Sequence, residues 1–307
     1  MEPHPIVSLS HLDNLWFQVT GTLCNIACTH CFNNSGPNVR TFDFLSLEDV
    51  RRDLETAARL GVKEIFFTGG EPFLHPQLPE MLALALELAP ATVLTNGLLI
   101  TDRLAERLAE IERSARYSLE VRISLDGYNE EMNDAIRGNG VFRQAMAAIV
   151  RLSRLGLLPL VTVVRTWNDA DELSTVAGFV RTLRDAGYTR PRIKILPALP
   201  LGRELKRSNI SADDTLLTES MLDGFDRDLL MCSNSRIVTD RGVWVCPLLV
   251  EKTDARLGST LAGARINYEL RHHACVSCYQ YGTICGNVNS LIEGSSTNLI
   301  SGGAKPA

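Results

Sequence analysis

The chain has 307 residues, 45% of them hydrophobic and 22% charged, with a formal net charge of −5. That length suits one large domain plus a smaller one, and the acidic balance gives no electrostatic reason to expect nucleic acid or an anionic membrane as a partner. No apolar run is long enough to span a bilayer, and the opening MEPHPIVSLS lacks the basic and apolar regions of a signal peptide, so a cytoplasmic protein is expected.

Residues 1–13 read as a lead-in with no room for an extra N-terminal domain. Leu15–Val19 is the first expected strand, and a cysteine-bearing loop, LCNIACTHCF, follows it. Ser46 then caps a helix whose first turn is acidic, and Gly61 ends it. Strands are expected at Glu64–Thr68, Ala91–Thr95, Leu119–Leu125, Leu158–Arg165 and Arg192–Leu196. Helices are expected between them at about 78–88, from Asp102, at 142–155 and at 171–186. Alternating strands and helices, with strands apolar on both faces, predict an α/β fold with a parallel sheet. Six such units make a partial (β/α)6 barrel, with ligands at the carboxyl ends of the strands. Beyond it, RIVTDRGVWVC reads as a hairpin around an Asp-Arg-Gly turn. A helix is expected at 264–271, followed by a CVSC loop, and the tail from Asn289 is rich in Ser, Gly and Asn.

The eight cysteines fall in two groups, Cys24, Cys28 and Cys31 near the start and Cys232, Cys246, Cys275, Cys278 and Cys285 near the end. In a cytosolic chain this argues for metal over disulfides, at two separate sites. The first group is spaced C-x3-C-x2-C, which offers three thiolates where a four-iron cluster ordinarily takes four. Zinc with His30 or a distant residue as fourth ligand is the alternative, although His30 stands too close to Cys31 for easy joint ligation. Every other candidate sits at a strand end. Gly69, Gly70 and Glu71 lie in TGGEP, whose glycines permit close backbone approach and which otherwise reads as an ordinary turn. Asn96 follows the next strand. Ser124 and Asp126 share one face of ISLDG, the alternative being an Asp-Gly turn with a capping serine. Arg137 in MNDAIRGNG is either a carboxylate partner or a solvated helix-end residue. Asn168 is a further candidate, and Leu196 opens an apolar strand end, LPALPLGR.

The cysteine spacing after a first strand, with GGEP some forty residues on, resembles the signature of the radical S-adenosylmethionine (SAM) superfamily over about residues 14–200. The resemblance implies a [4Fe–4S] cluster on Cys24, Cys28 and Cys31, with SAM on its open iron. It further implies that Gly69, Gly70 and Glu71 bind the SAM amino group, that Ser124 reaches the ribose or methionine part, and that Asp126 contacts SAM or substrate. Arg137 would pair with the SAM carboxylate, His30 and Leu196 would pack near the adenine, and Asn96 would be a further SAM contact. The C-terminal cysteines resemble the twitch form of the SPASM domain. That implies one auxiliary [4Fe–4S] cluster on Cys232, Cys246, Cys275 and Cys278, and leaves Cys285 as a spare or alternative ligand or a catalytic thiol. The expected division is 1–13 lead-in, 14–205 radical SAM core, 206–288 auxiliary-cluster domain and 289–307 tail.

In that chemistry a one-electron donor such as flavodoxin or ferredoxin reduces the cluster. SAM is cleaved to a 5′-deoxyadenosyl radical, which abstracts hydrogen from substrate. The short lead-in favours a small polar metabolite, sugar-like or aminocyclitol-like, oxidised with help from the auxiliary cluster. The alternatives are an epimerase using Cys285 as hydrogen donor, an enzyme modifying ribosomal peptides, and a non-catalytic zinc-binding protein.

Overall fold

The computed structural model describes residues 3–207 and 216–282. Cys285 and the tail from Asn289 lie outside the described residues. In chain order the strands are β1 (Ile6–Val7), β2 (Asn14–Gln18), β3 (Glu64–Thr68), β4 (Ala91–Thr95), β5 (Leu119–Ser124), β6 (Leu160–Val164), β7 (Arg192–Leu196), β8 (Ser235–Thr239), β9 (Gly242–Trp244), β10 (Arg256–Gly258) and β11 (Tyr268–Glu269). The helices are α1 (Leu47–Arg59), α2 (Leu78–Leu86), α3 (Asp102–Ser114), α4 (Glu130–Arg137), α5 (Val141–Arg154), α6 (Glu172–Asp185), α7 (Gly202–Arg207), α8 (Met231–Asn234) and α9 (His273–Tyr281). Among the described residues, no helix is long and apolar enough to cross a membrane.

Strands β2 to β7 pair in sequence order and all in parallel. Each return to the same direction is made through helices packed on the outside. The helices are built as the sequence predicts: Ser46 Oγ accepts from Asp49 N at 3.0 Å to start α1, and Thr101 caps α3 in the same way. Their apolar faces and the outward faces of the strands form one core, with Phe17, Phe67, Leu82, Ile123, Ile149, Val161 and Leu183 inside it. Side chains from all six strands also line a single cavity at the carboxyl end of the sheet. The sheet is therefore curved into a partial barrel, the α/β fold that the alternating pattern implies.

The chain after α7 departs from its expected layout. The hairpin β8–β9 forms around the Asp-Arg-Gly turn, as its sequence predicts. However, β8 lies parallel to β2 and extends the barrel sheet, with β9 and β10 added antiparallel beyond it. Strand β11 pairs with β1, which ties the lead-in to the C-terminal part. A second core joins barrel residues Trp16 and Phe66 to Ile237, Trp244, Tyr268 and four of the cysteines. The helix expected at 264–271 is not there: that stretch carries β11, and the helix is α9. Cys275 and Cys278 thus sit on a helix, one turn apart on the same side, and not in a loop. Apolar periodicity missed α9 because its face is a cysteine pair flanked by His273 and Tyr281.

Candidate active site and cysteine centres

The cysteine loop follows β2 and is fixed from several directions. The Leu23 carbonyl accepts from Glu71 N at 2.9 Å. At Gly70 that loop passes so close that a Cβ would stand 2.1 Å from Leu23 O, which only glycine avoids. Gly70→Ala is expected to destabilise the apo-protein by about 2 kcal/mol, as an overpacked site does, and to lower iron uptake. Thermal unfolding and iron content after anaerobic reconstitution measure the two effects.

On the opposite side Arg203, in α7, grips the loop. Its guanidinium donates to the carbonyls of Cys28 at 2.8 Å, Ser35 at 2.5 Å and Asn34 at 3.3 Å, and its backbone N donates to Cys31 O at 2.9 Å. Gly202 makes room for this with φ +55° and a Cβ position 2.3 Å from Phe32 O. In the sequence Gly202 and Arg203 stand out only as the end of the LPALPLGR run. The contacts lie some 170 residues away along the chain, and no local pattern announces them.

Seven of the nine residues assigned to SAM by resemblance line the cavity: His30, Gly69, Gly70, Asn96, Ser124, Arg137 and Leu196. The cavity has a volume of about 230 Å3 and also takes in Cys24, Cys28 and Cys31. Glu71 and Asp126 do not face it. Both are wholly buried behind its wall.

The Glu71 carboxylate accepts from Thr95 Oγ1 at 2.7 Å, Asn96 N at 2.8 Å and Phe73 N at 3.1 Å. It thereby holds the ends of β3 and β4 together, and burial pushes its pKa up to about 7. Asp126 faces Arg137 Nε and His30 Nε2, each at 2.6 Å, and accepts from Val164 N at 2.8 Å. Burial alone would raise its pKa, but the Arg137 charge and the His30 contact bring it down to about 2. Arg137 is itself buried, and its Nη1 donates to Cys28 Sγ at 3.8 Å. It is therefore neither solvated nor free to take a carboxylate through Nε. Asn133, which the sequence did not single out, accepts from Asp126 N at 3.0 Å. Asn168 stands outside the cavity, at the start of a short turn of helix.

Burial favours the protonated thiol at Cys24 and Cys28 in the absence of metal. Burial pushes Cys24 up to about 12 and raises Cys28, so ligation must expel protons. Asn96 Nδ2 donates to Cys24 Sγ at 3.8 Å, and Arg137 approaches Cys28. Both contacts favour a thiolate, as a cluster requires. All seven described cysteines are free. Among the described residues, no three His, Cys, Asp or Glu side chains are placed to hold a single metal ion. Cys24, Cys28 and Cys31 line one cavity.

Cys232, Cys246, Cys275 and Cys278 line a second, smaller cavity together with Met231, Leu249 and Tyr268. Burial raises all four thiols, Cys275 to about 12 and Cys278 to about 11. Two polar groups here were not picked out from the sequence. Tyr268 Oη is buried with no hydrogen-bond partner among the described residues, and Arg236 is fully buried behind Cys232. Both fit an anionic group held by the four cysteines.

Comparison with known proteins agrees with this geometry. Over 157 residues the chain is 35% identical to mycofactocin maturase MftC of Mycolicibacterium smegmatis, covering 50% of this chain and 38% of the relative. Over 162 residues it is 32% identical to the antilisterial bacteriocin subtilosin biosynthesis protein AlbA of Bacillus subtilis, covering 52% and 35%. The chain thus matches well under half the length of these curated relatives. The solved structure of native anSMEcpe with bound AdoMet and Cp18Cys peptide shares the fold, with a TM-score of 0.59 at 19% identity over 82% of this chain and 79% of that one. Residues 19–177 match the Radical SAM superfamily. With just over half of the chain matched, and with three cysteines opening on a cavity at the carboxyl end of a partial barrel, the chain belongs to the radical SAM superfamily, which implies a [4Fe–4S] cluster and SAM.

Proposed function

We propose that the protein is a radical SAM enzyme that oxidises a peptide, with a second [4Fe–4S] cluster on Cys232, Cys246, Cys275 and Cys278. When bound, the first cluster and SAM supply hydrogen-atom abstraction from the substrate, and the second supplies an acceptor for the electron that oxidation releases. The chain's own residues do the rest. Cys24, Cys28 and Cys31 bind the cluster and leave one iron open. Gly69 and Gly70 bring bare backbone to the cavity edge, Asn96 and Ser124 offer polar groups to SAM, and Leu196 with Ile26 and Leu199 keeps water away. Glu71 and Asp126 position these groups from behind. A one-electron donor such as flavodoxin or ferredoxin completes the scheme.

The peptide substrate is supported by the similarity to AlbA, whose name places it in bacteriocin biosynthesis. The expectation of a small polar metabolite rested on the length of residues 1–13, which carries no weight about substrate. The test supplies the reduced enzyme and SAM with deuterated peptides and, separately, with deuterated aminocyclitols and sugars. Deuterium in 5′-deoxyadenosine with a peptide, and a peptide product lighter by two hydrogens, is expected. Transfer from the metabolites alone overturns the peptide reading, and deuterium uptake from solvent without net oxidation favours the epimerase.

The carrying observation for the second cluster is the set of four buried thiols around one cavity. Cys275→Ala is expected to cut iron from about eight to about four per chain. An unchanged iron content would remove the second cluster from the scheme.

A further inference from the structure

We propose that Arg236 and Tyr268 raise the reduction potential of the C-terminal centre, acting as the buried countercharge and the hydroxyl donor that an anionic iron–sulfur group requires. The inference rests on the second-cluster reading above.

Arg236, on β8, has no exposed surface. Its guanidinium donates to the carbonyls of Cys232 at 2.7 Å, Ser235 at 2.7 Å and Ala264 at 2.9 Å, with longer contacts to Val245 and Ile266. Every one of these partners is a neutral carbonyl, and no carboxylate among the described residues pairs with it. A buried guanidinium without an anion is a costly arrangement. Tyr268, on β11, is 5% exposed and forms part of the wall of the four-cysteine cavity, and among the described residues its buried Oη has no acceptor. Buried hydroxyls are ordinarily hydrogen-bonded.

One group satisfies both residues. Four thiolates outweigh the positive core of an iron–sulfur cube, so the loaded centre is an anion lined with sulfur acceptors, and it becomes more negative on taking up an electron. A fixed cation and an O–H···S bond both favour that reduced form over the oxidised one. The potential therefore rises, which suits a centre that receives an electron from substrate.

The experiment uses the full chain with Cys24, Cys28 and Cys31 all replaced by alanine, so that only the C-terminal centre is read. After anaerobic reconstitution it is expected to retain about four irons per chain. Its midpoint potential, followed by the electron paramagnetic resonance of the reduced state, is then compared with those of Arg236→Met, Arg236→Lys and Tyr268→Phe in the same background. A shift to lower potential is expected for Arg236→Met and for Tyr268→Phe, with a smaller shift for Arg236→Lys, which keeps the charge. A merely structural role would alter stability or loading and leave the potential of the loaded protein in place. Unchanged potentials in loaded Arg236→Met and Tyr268→Phe overturn the inference while the second cluster stands. If Arg236→Met does not load, Tyr268→Phe, which deletes one oxygen and keeps the ring packed, decides alone. Absence of iron from the parent triple variant overturns the second-cluster reading and this inference with it.

Discussion

Alanine at any one of Cys24, Cys28 or Cys31 is expected to reduce SAM cleavage to background. The loss should exceed the ~100-fold typical of removing a group that merely supports a metal ligand. Three thiolates are the fewest that hold a four-iron cluster with one iron open, so no protein ligand stands in reserve. The loop itself should persist. Its shape is fixed by Arg203, by Glu71 N on Leu23 O and by Gly70, none of which depends on a particular thiol. Formation of 5′-deoxyadenosine by the reduced, reconstituted variants measures the loss, and thermal unfolding of their apo forms measures the loop. Wild-type turnover in a single-cysteine variant would sink the assignment of the triad.

Asp126→Asn is expected to destabilise the apo-protein by about 3–5 kcal/mol, the usual consequence of removing one partner of a buried ion pair. Asparagine still accepts from Val164 N, but its amide leaves the buried Arg137 without a countercharge. The pH dependence follows from the same contact. Asp126 falls from an ordinary carboxylate value of 3.8 to about 2 on folding, so its contribution is complete above about pH 4 and drains away as pH falls towards 2. The shift is equivalent to about 2 kcal/mol. Urea unfolding between pH 2 and 5 should show this loss in the parent and lack it in the asparagine variant. A variant within about 1 kcal/mol of the parent at pH 7 would mean that Arg137 finds another partner. The same substitution frees Arg137 to move from Cys28, so iron retention should fall with stability.

The two predictions separate what is local from what is not. The cysteine spacing, the GGEP turn and the strand ends lie within short windows, and strand periodicity places them at one end of a sheet. That is why seven of the nine residues assigned to SAM meet at one cavity. Glu71 and Asp126 stand apart from the cavity for a physical reason. A carboxylate at a strand end can point into the cavity or back against its neighbours, and the sequence does not show which donors await it. For Glu71 they are Thr95, Asn96 and Phe73, and for Asp126 they are His30, Arg137 and Val164.

The C-terminal part shows the limit more sharply. Four cysteines were legible as a metal set because thiols in that number have few other uses. Their support was not. Helix α9 lacks the apolar stripe that reveals a helix, and the attachment of β8 to β2 is a pairing between residues more than two hundred positions apart. By itself the sequence pointed to the chemistry: three cysteines for an open cluster, strand ends for a SAM site, and four further thiols for the proposed second centre. Only the tertiary structure decided which polar groups line the cavities and which stand behind their walls. Arg203 on the loop, Asp126 beneath His30 and Arg137, and Arg236 with Tyr268 at the far centre are all set by long-range packing, where burial and the pairing of charges, not sequence spacing, choose the partner.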